Sequence, residues 1–280
     1  MNTATSPLQL GLSPCPNDTF IFHALLHGLV QQPAPIAPHL ADVEELNSLA
    51  RQGKLAVTKM SLGVAADIMD DYALLSSGAA LGFGCGPLVV ARKPLDAAAC
   101  RTARVAVPGL HTTANLLLSL NGGFQGPREP MLFSDVMDAV QDGRVDAGVI
   151  IHEGRFTYAQ RGLVKLLDLG EWWEGQFHLP LPLGAIVVRR DVPRDLALGI
   201  QTAIAQSLAH ARKNPQASAA FIREHAQELD DSVIQAHIKT FVTDFSLDIG
   251  DAGRAAITEL VGKAAALAGK KLPEAGLFLA

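Results

Sequence analysis

The feature that most constrains the fold of this chain is a plan that occurs twice. In "VEELNSLARQGKLAVTKMS" the pattern predicts an amphipathic helix, a stop at Gly53, a strand and a polar end at Ser61. The stretch "SDVMDAVQDGRVDAGVIIHE" repeats this order, with a stop at Gly143 and a polar end at His152 and Glu153. A strand, a polar turn and a helix precede each copy, in "LQLGLSPCPNDTFIFHALLHG" and "ARVAVPGLHTTANLLLSL". The repetition predicts two similar α/β lobes.

Two further segments indicate how the lobes are connected. "GPLVVARKPL" and "LPLGAIVVRRDV" both contain a β-branched run that ends in arginine, and they bracket the second copy. We therefore predict that the chain crosses to the second lobe near residue 93 and returns near residue 184. The tail beyond residue 193 is rich in alanine and has a helical pattern.

The resulting fold class is α/β, a hinged clamp of two lobes with two crossing strands and a helical C-terminal tail. We predict a large discontinuous lobe of residues 1–92 and 185–280, and a small lobe of residues 93–184.

Composition excludes several classes of partner. The chain has 23 basic and 28 acidic residues and no basic block, which argues against binding to nucleic acid or to an anionic membrane. It has no apolar run long enough to span a membrane and no signal-peptide pattern in "MNTATSPLQLGLS". Three cysteines without a CxxC pair favour a reducing cytoplasm. The expected partner is a small-molecule substrate, and a homodimer remains open beside a monomer.

Four polar loops follow the predicted strands, namely "SPCPND", "TKMS", "PGLHTT" and "IHEGRF". In open α/β sheets, ligands bind outside the carboxyl ends of the strands, where loops and helix N-termini converge. Two loops come from each lobe, so we expect them to face one another across a ligand-binding cleft.

His152 is the residue most suited to chemistry. It follows the apolar strand "AGVII", and an imidazole has an intrinsic pKa suited to proton transfer near neutrality. The alternative is a histidine satisfied by a backbone carbonyl. Glu153 would point to the opposite face if the strand continued, so we do not expect the two side chains to act together.

The first elbow allows two interpretations. Asn17, Asp18 and Thr19 are all good N-cap residues, and they would suffice to start a helix. The two flanking prolines restrict the backbone, which favours a held loop whose polar groups also face the cleft. Cys15 lies between those prolines with no histidine beside it in sequence, so a structural, half-buried cysteine is the simpler interpretation, and a direct chemical role stays open.

The other two loops offer candidate contacts for an anion. "HTTAN" opens a helix after a Pro-Gly turn, so its free N–H groups and the hydroxyls of Thr112 and Thr113 suit an anion or carboxylate. An ordinary threonine N-cap is the alternative. Lys59 in "TKMS" could pair with a carboxylate, although a solvated lysine is the usual outcome. His23 and His27 are four residues apart on a helix, but no third ligand accompanies them, and we expect neither a metal nor a cofactor.

Five motifs together resemble the 1,4-dihydroxy-6-naphthoate synthase family of the futalosine route to menaquinone. They are "LSPCPNDTFIFHALLHG", "KMS", "VAVPGLHTTA", "VIIHEGRFTY" and "LPLPLGAIVVRRD", and they span nearly the whole chain in order. The resemblance implies a two-lobed fold of the periplasmic-binding-protein type II kind. It also implies a lyase that releases 1,4-dihydroxy-6-naphthoate and dihydroxyacetone from cyclic dehypoxanthinyl futalosine.

The resemblance also implies roles for particular residues. His152 would be the proton acceptor, and Lys59, Met60, Ser61, Thr113 and Ala114 would contact the substrate; our own reading of the loops adds Thr112 and Asn17. We expect the N–H groups of Ser61 and Thr113 to hold a carboxylate or an oxyanion. Two alternatives stay open, namely chorismate dehydratase of the same pathway and a binding protein without chemistry.

Overall fold

The computed structural model describes residues 7–226 and 230–279. The first residues of the N-terminal segment and residues 227–229 of the helical tail lie outside the described residues. The strands are β1 Leu8–Leu12, β2 Ile36–Leu40, β3 Val57–Ser61, β4 Tyr72–Leu74, β5 Ala80–Gly82, β6 Leu88–Ala91, β7 Val105–Val107, β8 Arg128–Pro130, β9 Ala147–Ile150, β10 Val164–Asp168 and β11 Leu181–Arg189.

The helices confirm the α/β class and the helical tail. They are α1 Pro16–Leu26, α2 Val43–Arg51, α3 Ala65–Ile68, α4 Ala97–Thr102, α5 Thr113–Asn121, α6 Val136–Gln141, α7 Gly154–Thr157, α8 Leu169–Phe177, α9 Arg194–Lys213, α10 Ala219–His225, α11 Asp231–Phe241, α12 Asp244–Leu247 and α13 Gly250–Leu267. Across the described ranges, none of these helices is long and apolar enough to cross a membrane.

The two sheets repeat one topology. The first has the order β2-β1-β3-β11-β4, with β5 also paired to β11, and the second has the order β10-β6-β9-β7-β8. In the first sheet β2, β1 and β3 are parallel, and in the second β8, β7 and β9 are parallel in the same relative order. An antiparallel strand then follows in each, β11 beside β3 and β6 beside β9. The duplicated plan of the sequence is therefore a duplicated fold.

The crossings lie earlier in the chain than the sequence suggested. Strand β6 falls before residue 93, yet it belongs to the second sheet, because β9 and β10 hydrogen-bond to its two edges. The chain leaves the first sheet after Gly82 and rejoins it at Leu181, and these two residues pair with each other. The two connections between the lobes are therefore residues 83–87 and residues 178–180.

The lobes share apolar contacts beside these connections. One buried cluster contains Met60 of β3, Val89 of β6, Leu117 of α5 and Trp173 of α8, and so includes residues of both sheets. The indole N–H of Trp173 donates to the carbonyl of Pro180 at 3.1 Å, next to the return connection. A separate cluster packs α1 and α9 on the first sheet. This core holds the loops at the carboxyl ends of the parallel strands in place.

Candidate active site

The four segments that we predicted as loops meet in one cleft between the lobes, although "TKMS" is the carboxyl end of β3 rather than a loop. The cleft has a volume of about 710 Å³ when its open mouth is included. Because β1 and β3 are parallel, as are β7 and β9, each pair of strands delivers its following loops to one edge of its sheet. All eight residues that we predicted for the site line this cleft: Asn17, Lys59, Met60, Ser61, Thr112, Thr113, Ala114 and His152. Their contacts with a ligand stay predictions.

The first elbow is built around the buried carboxylate of Asp18. Its Oδ2 accepts from the N–H and hydroxyl of Ser13 at 3.0 and 2.8 Å. Its Oδ1 accepts from Asn17 Nδ2 and from Lys59 Nζ, both at 2.8 Å. Lys59 is therefore not a solvated lysine, because it forms an ion pair in which both side chains are buried. The bond from Lys59 ties the elbow to β3, and the other three bonds lie within the elbow.

Helix α1 does not start with the cap that its residues suggest. The N-cap is Cys15, which makes no side-chain capping bond, and Pro16 occupies the first helical turn, where a missing N–H is tolerated. Asn17, Asp18 and Thr19 lie inside that turn and are buried. The side chains of Asn17 and Asp18 therefore serve the elbow, while the hydroxyl of Thr19 donates to the carbonyl of Cys15 at 3.0 Å.

The carboxyl end of β3 lines the floor of the cleft. Met60 is fully buried, and the N–H of Ser61 donates to Asn47 Oδ1 at 2.8 Å. That N–H is therefore already paired, contrary to our expectation that it would hold a substrate carboxylate. The side chain of Ser61 still lines the cleft.

At the start of α5, the ordinary N-cap is present. Thr112 Oγ1 accepts from the N–H of Asn115 at 3.3 Å and donates to the carbonyl of Gly109 at 2.8 Å. Thr113 Oγ1 donates to the carbonyl of Leu183 and accepts from the N–H of Gly63. Both hydroxyls are thus engaged by the protein, so the groups suited to an anion are the first N–H groups of α5, which have no partners within the helix.

His152 lies where the second copy of the plan enters the cleft. Strand β9 ends at Ile150, and His152 has a left-handed backbone with φ of 54°. Its ring stacks on that of His237 at 5.7 Å and 8°, and its Nε2 lies 3.9 Å from the sulfur of Cys15. Burial lowers the pKa of His152 to about 4, with a further lowering from Lys59. The imidazole is therefore neutral at neutral pH and has a lone pair that can accept a proton.

Glu153 lies on the same side as His152, contrary to our expectation. The strand does not continue through these residues, because His152 is left-handed and α7 starts at Gly154. Glu153 Oε2 lies 3.8 Å from His237 Nδ1, and one possible ligand atom from each of His152, Glu153 and His237 falls within 4.8 Å of the others. The side chains of His152 and Glu153 thus belong to one cluster.

His237 was not identified from the sequence. It lies on α11 and is fully buried, between Ile234 and Phe241 on the apolar face of the helix. Burial lowers its pKa well below the usual histidine value. In the sequence, His237 stands three residues after Ile234 and four before Phe241, on the apolar face of a predicted helix. This spacing does not distinguish a site residue from a core residue.

Cys15 is buried rather than half-buried. Burial, reinforced by the nearby charge of Glu153, raises the pKa of its thiol far above the ordinary range. A neutral thiol is a poor nucleophile, so a structural role fits Cys15 better than a covalent one.

Arg155 is a further charged residue of the cleft, whereas the histidine pair of the first helix lies outside it. Arg155 also lines the cleft, where it donates to the carbonyl of Gly86 at 2.6 Å and to Asp168 Oδ2 at 2.8 Å. His23 and His27 have their ring centroids 4.3 Å apart, and His27 packs edge-on against Phe221. His23 lies on α1 and His27 is its C-cap, and neither lines the cleft.

Two lobes of this topology around a central cleft define the periplasmic-binding-protein fold. The aliphatic sulphonate binding protein of Escherichia coli superposes with a TM-score of 0.66 at 13% identity, covering 96% of this chain and 90% of that one. A solved protein of Archaeoglobus fulgidus has a TM-score of 0.87 at 34% identity, covering 96% and 99%.

The chain belongs to the menaquinone biosynthesis family, whose model matches residues 8–266. It is 51% identical over 259 residues to the 1,4-dihydroxy-6-naphtoate synthase of Thermus thermophilus, and the aligned residues cover 92% of this chain and 94% of the relative. It is 45% identical over 264 residues to the enzyme of the same name from Streptomyces coelicolor, covering 92% and 93%. The chain is therefore an enzyme of menaquinone biosynthesis.

Proposed function

We propose that this enzyme is a carbon–carbon lyase of the cytoplasm that converts cyclic dehypoxanthinyl futalosine to 1,4-dihydroxy-6-naphthoate and dihydroxyacetone. The observation that carries the proposal is a neutral His152 at the junction of the four loops, in a chain 51% identical to a 1,4-dihydroxy-6-naphtoate synthase. A base poised in its unprotonated form is what a proton-initiated cleavage requires.

In the proposed reaction, His152 removes a proton from a hydroxyl or an acidic carbon of the substrate. The electron pair released breaks the carbon–carbon bond to the spiro-fused three-carbon fragment, and the bicycle becomes aromatic. The imidazolium then returns the proton to the departing fragment. Atoms balance without a further reactant, since the two products together contain all atoms of the substrate.

The remaining cleft residues would orient the substrate. The first N–H groups of α5, at Thr113 and Ala114, suit the substrate carboxylate because they carry the positive end of the helix dipole. Asn17 and Lys59 are held in place by Asp18, which gives the opposite wall a fixed polar surface. Fixed contacts of this kind lower the barrier by orienting the reacting groups.

Closure of the lobes would shield the reaction from water. Glu44 on α2 accepts from the N–H and Nδ1 of His111 at 3.1 and 2.7 Å. Glu44 belongs to the first lobe and His111 to the loop before α5 in the second. This pair therefore links the two sides of the cleft at its rim.

The test is an anaerobic assay of the purified protein with cyclic dehypoxanthinyl futalosine, followed by mass spectrometry. We expect the naphthoate and dihydroxyacetone in equal amounts. Tight binding without turnover would make the protein a binding protein, and conversion of chorismate instead would make it a chorismate dehydratase.

A further inference from the structure

The hydrogen bonds around His237 determine which of its nitrogens carries the proton. Asp18 accepts from Asn17 Nδ2, so the amide oxygen of Asn17 is the atom that faces His237 Nε2, at 3.0 Å. An amide oxygen can only accept, so Nε2 carries the hydrogen. In the neutral ring, Nδ1 is then a lone-pair acceptor.

That lone pair is buried and is directed at a second acceptor. Nδ1 of His237 has no hydrogen-bond partner among the described residues, and it lies 3.8 Å from the carboxylate oxygen Oε2 of Glu153. An acceptor that is buried and unmatched is costly unless something electron-poor comes between it and its neighbour. The ring of His152 stacks on that of His237 and adds a third donor of electron pairs.

We propose that His152, Glu153 and His237 form a binding site for a divalent transition-metal ion of the zinc type, and that an ion bound there inhibits the enzyme. Two imidazoles and one carboxylate are a common ligand set for such ions, and three protein ligands leave one tetrahedral position for water or another ligand. Hard ions such as Mg²⁺ prefer oxygen ligands and would bind weakly.

Binding of an ion requires the ligand atoms to move closer and one imidazole to rotate, because the ion must lie in the plane of each ring and the two rings are now parallel. Ligand atoms around a tetrahedral zinc ion stand roughly 3.3 Å apart, given bond lengths near 2.0–2.1 Å. The three ligand atoms here lie within 4.8 Å of one another before any ion is bound. The hydrogen bond from His237 Nε2 to Asn17 fixes the ring with its lone pair facing inward, as outer partners of metal-bound histidines do.

Inhibition is expected because His152 has only one ring lone pair that can accept a proton. A neutral imidazole has one ring lone pair, so a metal ion that uses it leaves none to accept the substrate proton. This holds whichever of its two nitrogens binds the ion. The inhibitory half of the proposal rests on the proposed function of His152 as a base, whereas binding of the ion does not.

The first experiment measures binding without substrate. Chelator-treated full-length protein is titrated with Zn²⁺ by calorimetry, and with Co²⁺ by visible absorption. We expect one tight equivalent of metal in the wild type, and at least a 100-fold weaker affinity in Glu153→Gln and in His237→Gln. Glu153→Gln keeps the shape of a partly exposed side chain, so it supplies the result if His237→Gln does not fold.

The matched control is the His23→Ala/His27→Ala double variant, which removes a histidine pair outside the cleft and should keep the tight equivalent. Unchanged affinity in Glu153→Gln and in a folded His237→Gln would overturn the proposal. So would loss of the tight equivalent in the control, or a thiolate-to-cobalt charge-transfer band that indicates a cysteine site.

The second experiment adds Zn²⁺ to the lyase assay. We expect loss of activity over the concentration range in which calorimetry shows binding, and recovery on addition of chelator. Full activity with the site occupied would overturn the inhibitory role. A wild type that is inactive even in chelator would contradict the proposed function instead, while the calorimetry would still decide the metal site.

Discussion

The first-lobe elbow and the second-lobe loop at His152 both follow a parallel strand, yet their polar groups are arranged in opposite ways. In the elbow, the carboxylate of Asp18 is matched by four donors, including Lys59. In the loop, the neutral His152 has no such set of donors, and the ring beside it, His237 of α11, has a buried nitrogen without a hydrogen-bond partner among the described residues. One copy of the repeated plan therefore supports the site, and the other is available for chemistry.

The largest effect on activity should come from a change in the second copy of the plan, which contains His152. We expect His152→Asn to lower kcat by about 10²–10⁴-fold, the usual contribution of a positioned acid or base. Asparagine tolerates the left-handed backbone at this position, so the loss would not reflect backbone strain. The measurement is kcat together with the melting temperature.

The control for that variant is His178→Asn. His178 is an exposed residue at the end of α8 with the same left-handed backbone. The change therefore removes an imidazole and places asparagine in the same backbone conformation as in His152→Asn. A wild-type kcat in His178→Asn and a large loss of kcat in His152→Asn would support a chemical role for the second copy of the plan. A normal kcat in His152→Asn would contradict it.

In the first copy of the plan, which contains Asp18 and Lys59, the main effect of a change should be on stability. Asp18→Asn leaves the ammonium of Lys59 buried without its counter-charge, which we expect to cost about 3–5 kcal/mol in the free energy of unfolding. Denaturant unfolding at neutral pH checks this. The double variant Asp18→Asn/Lys59→Met should recover much of the loss, and a double variant as unstable as the single one would argue against the ion pair as the cause.

The two copies should also respond differently to acid. The pKa values of His152 and His237 are lowered in the folded protein, so below the unfolded value near 6.5 the unfolded chain binds more protons. Their contribution to stability is present above that pH and is lost as the pH falls below it, for His152 down to about pH 4. Melting temperatures between pH 7 and 4.5 should fall less steeply in His237→Gln than in the wild type, and parallel curves would refute this.

The smallest effect concerns the contact between the lobes. Glu44→Gln weakens a partly exposed pair with His111, which is worth roughly 1 kcal/mol or less. We expect KM to rise about two- to five-fold with kcat nearly unchanged. A fall in kcat at constant KM would instead place Glu44 in the chemical step.

Much of the fold could be predicted because it depends on local patterns. The strand periods, the glycine stops at Gly53 and Gly143 and the repeated order of elements specify both sheets, and the carboxyl-end rule brings the four loops together. The position of the first crossing could not be predicted, since a β-branched run such as β6 suits either sheet equally well.

The site was harder to predict where it depends on long-range contacts. The side of the chain on which Glu153 lies depends on one left-handed residue, His152, and a period-two rule cannot anticipate it. The burial of Lys59 against Asp18 depends on how two strands pair. His237 reaches the cluster from α11, far along the chain, and nothing near it in sequence indicates a site.

The most direct test of the central claim is the pH dependence of kcat/KM for the proposed lyase reaction. If a partly buried, neutral His152 is the base, kcat/KM should stay level down to about pH 5 and fall with an apparent pKa near 4. This acidic limb should be absent from the residual activity of His152→Asn. An acidic limb near 6.5, or one that persists unchanged in His152→Asn, would contradict the assignment.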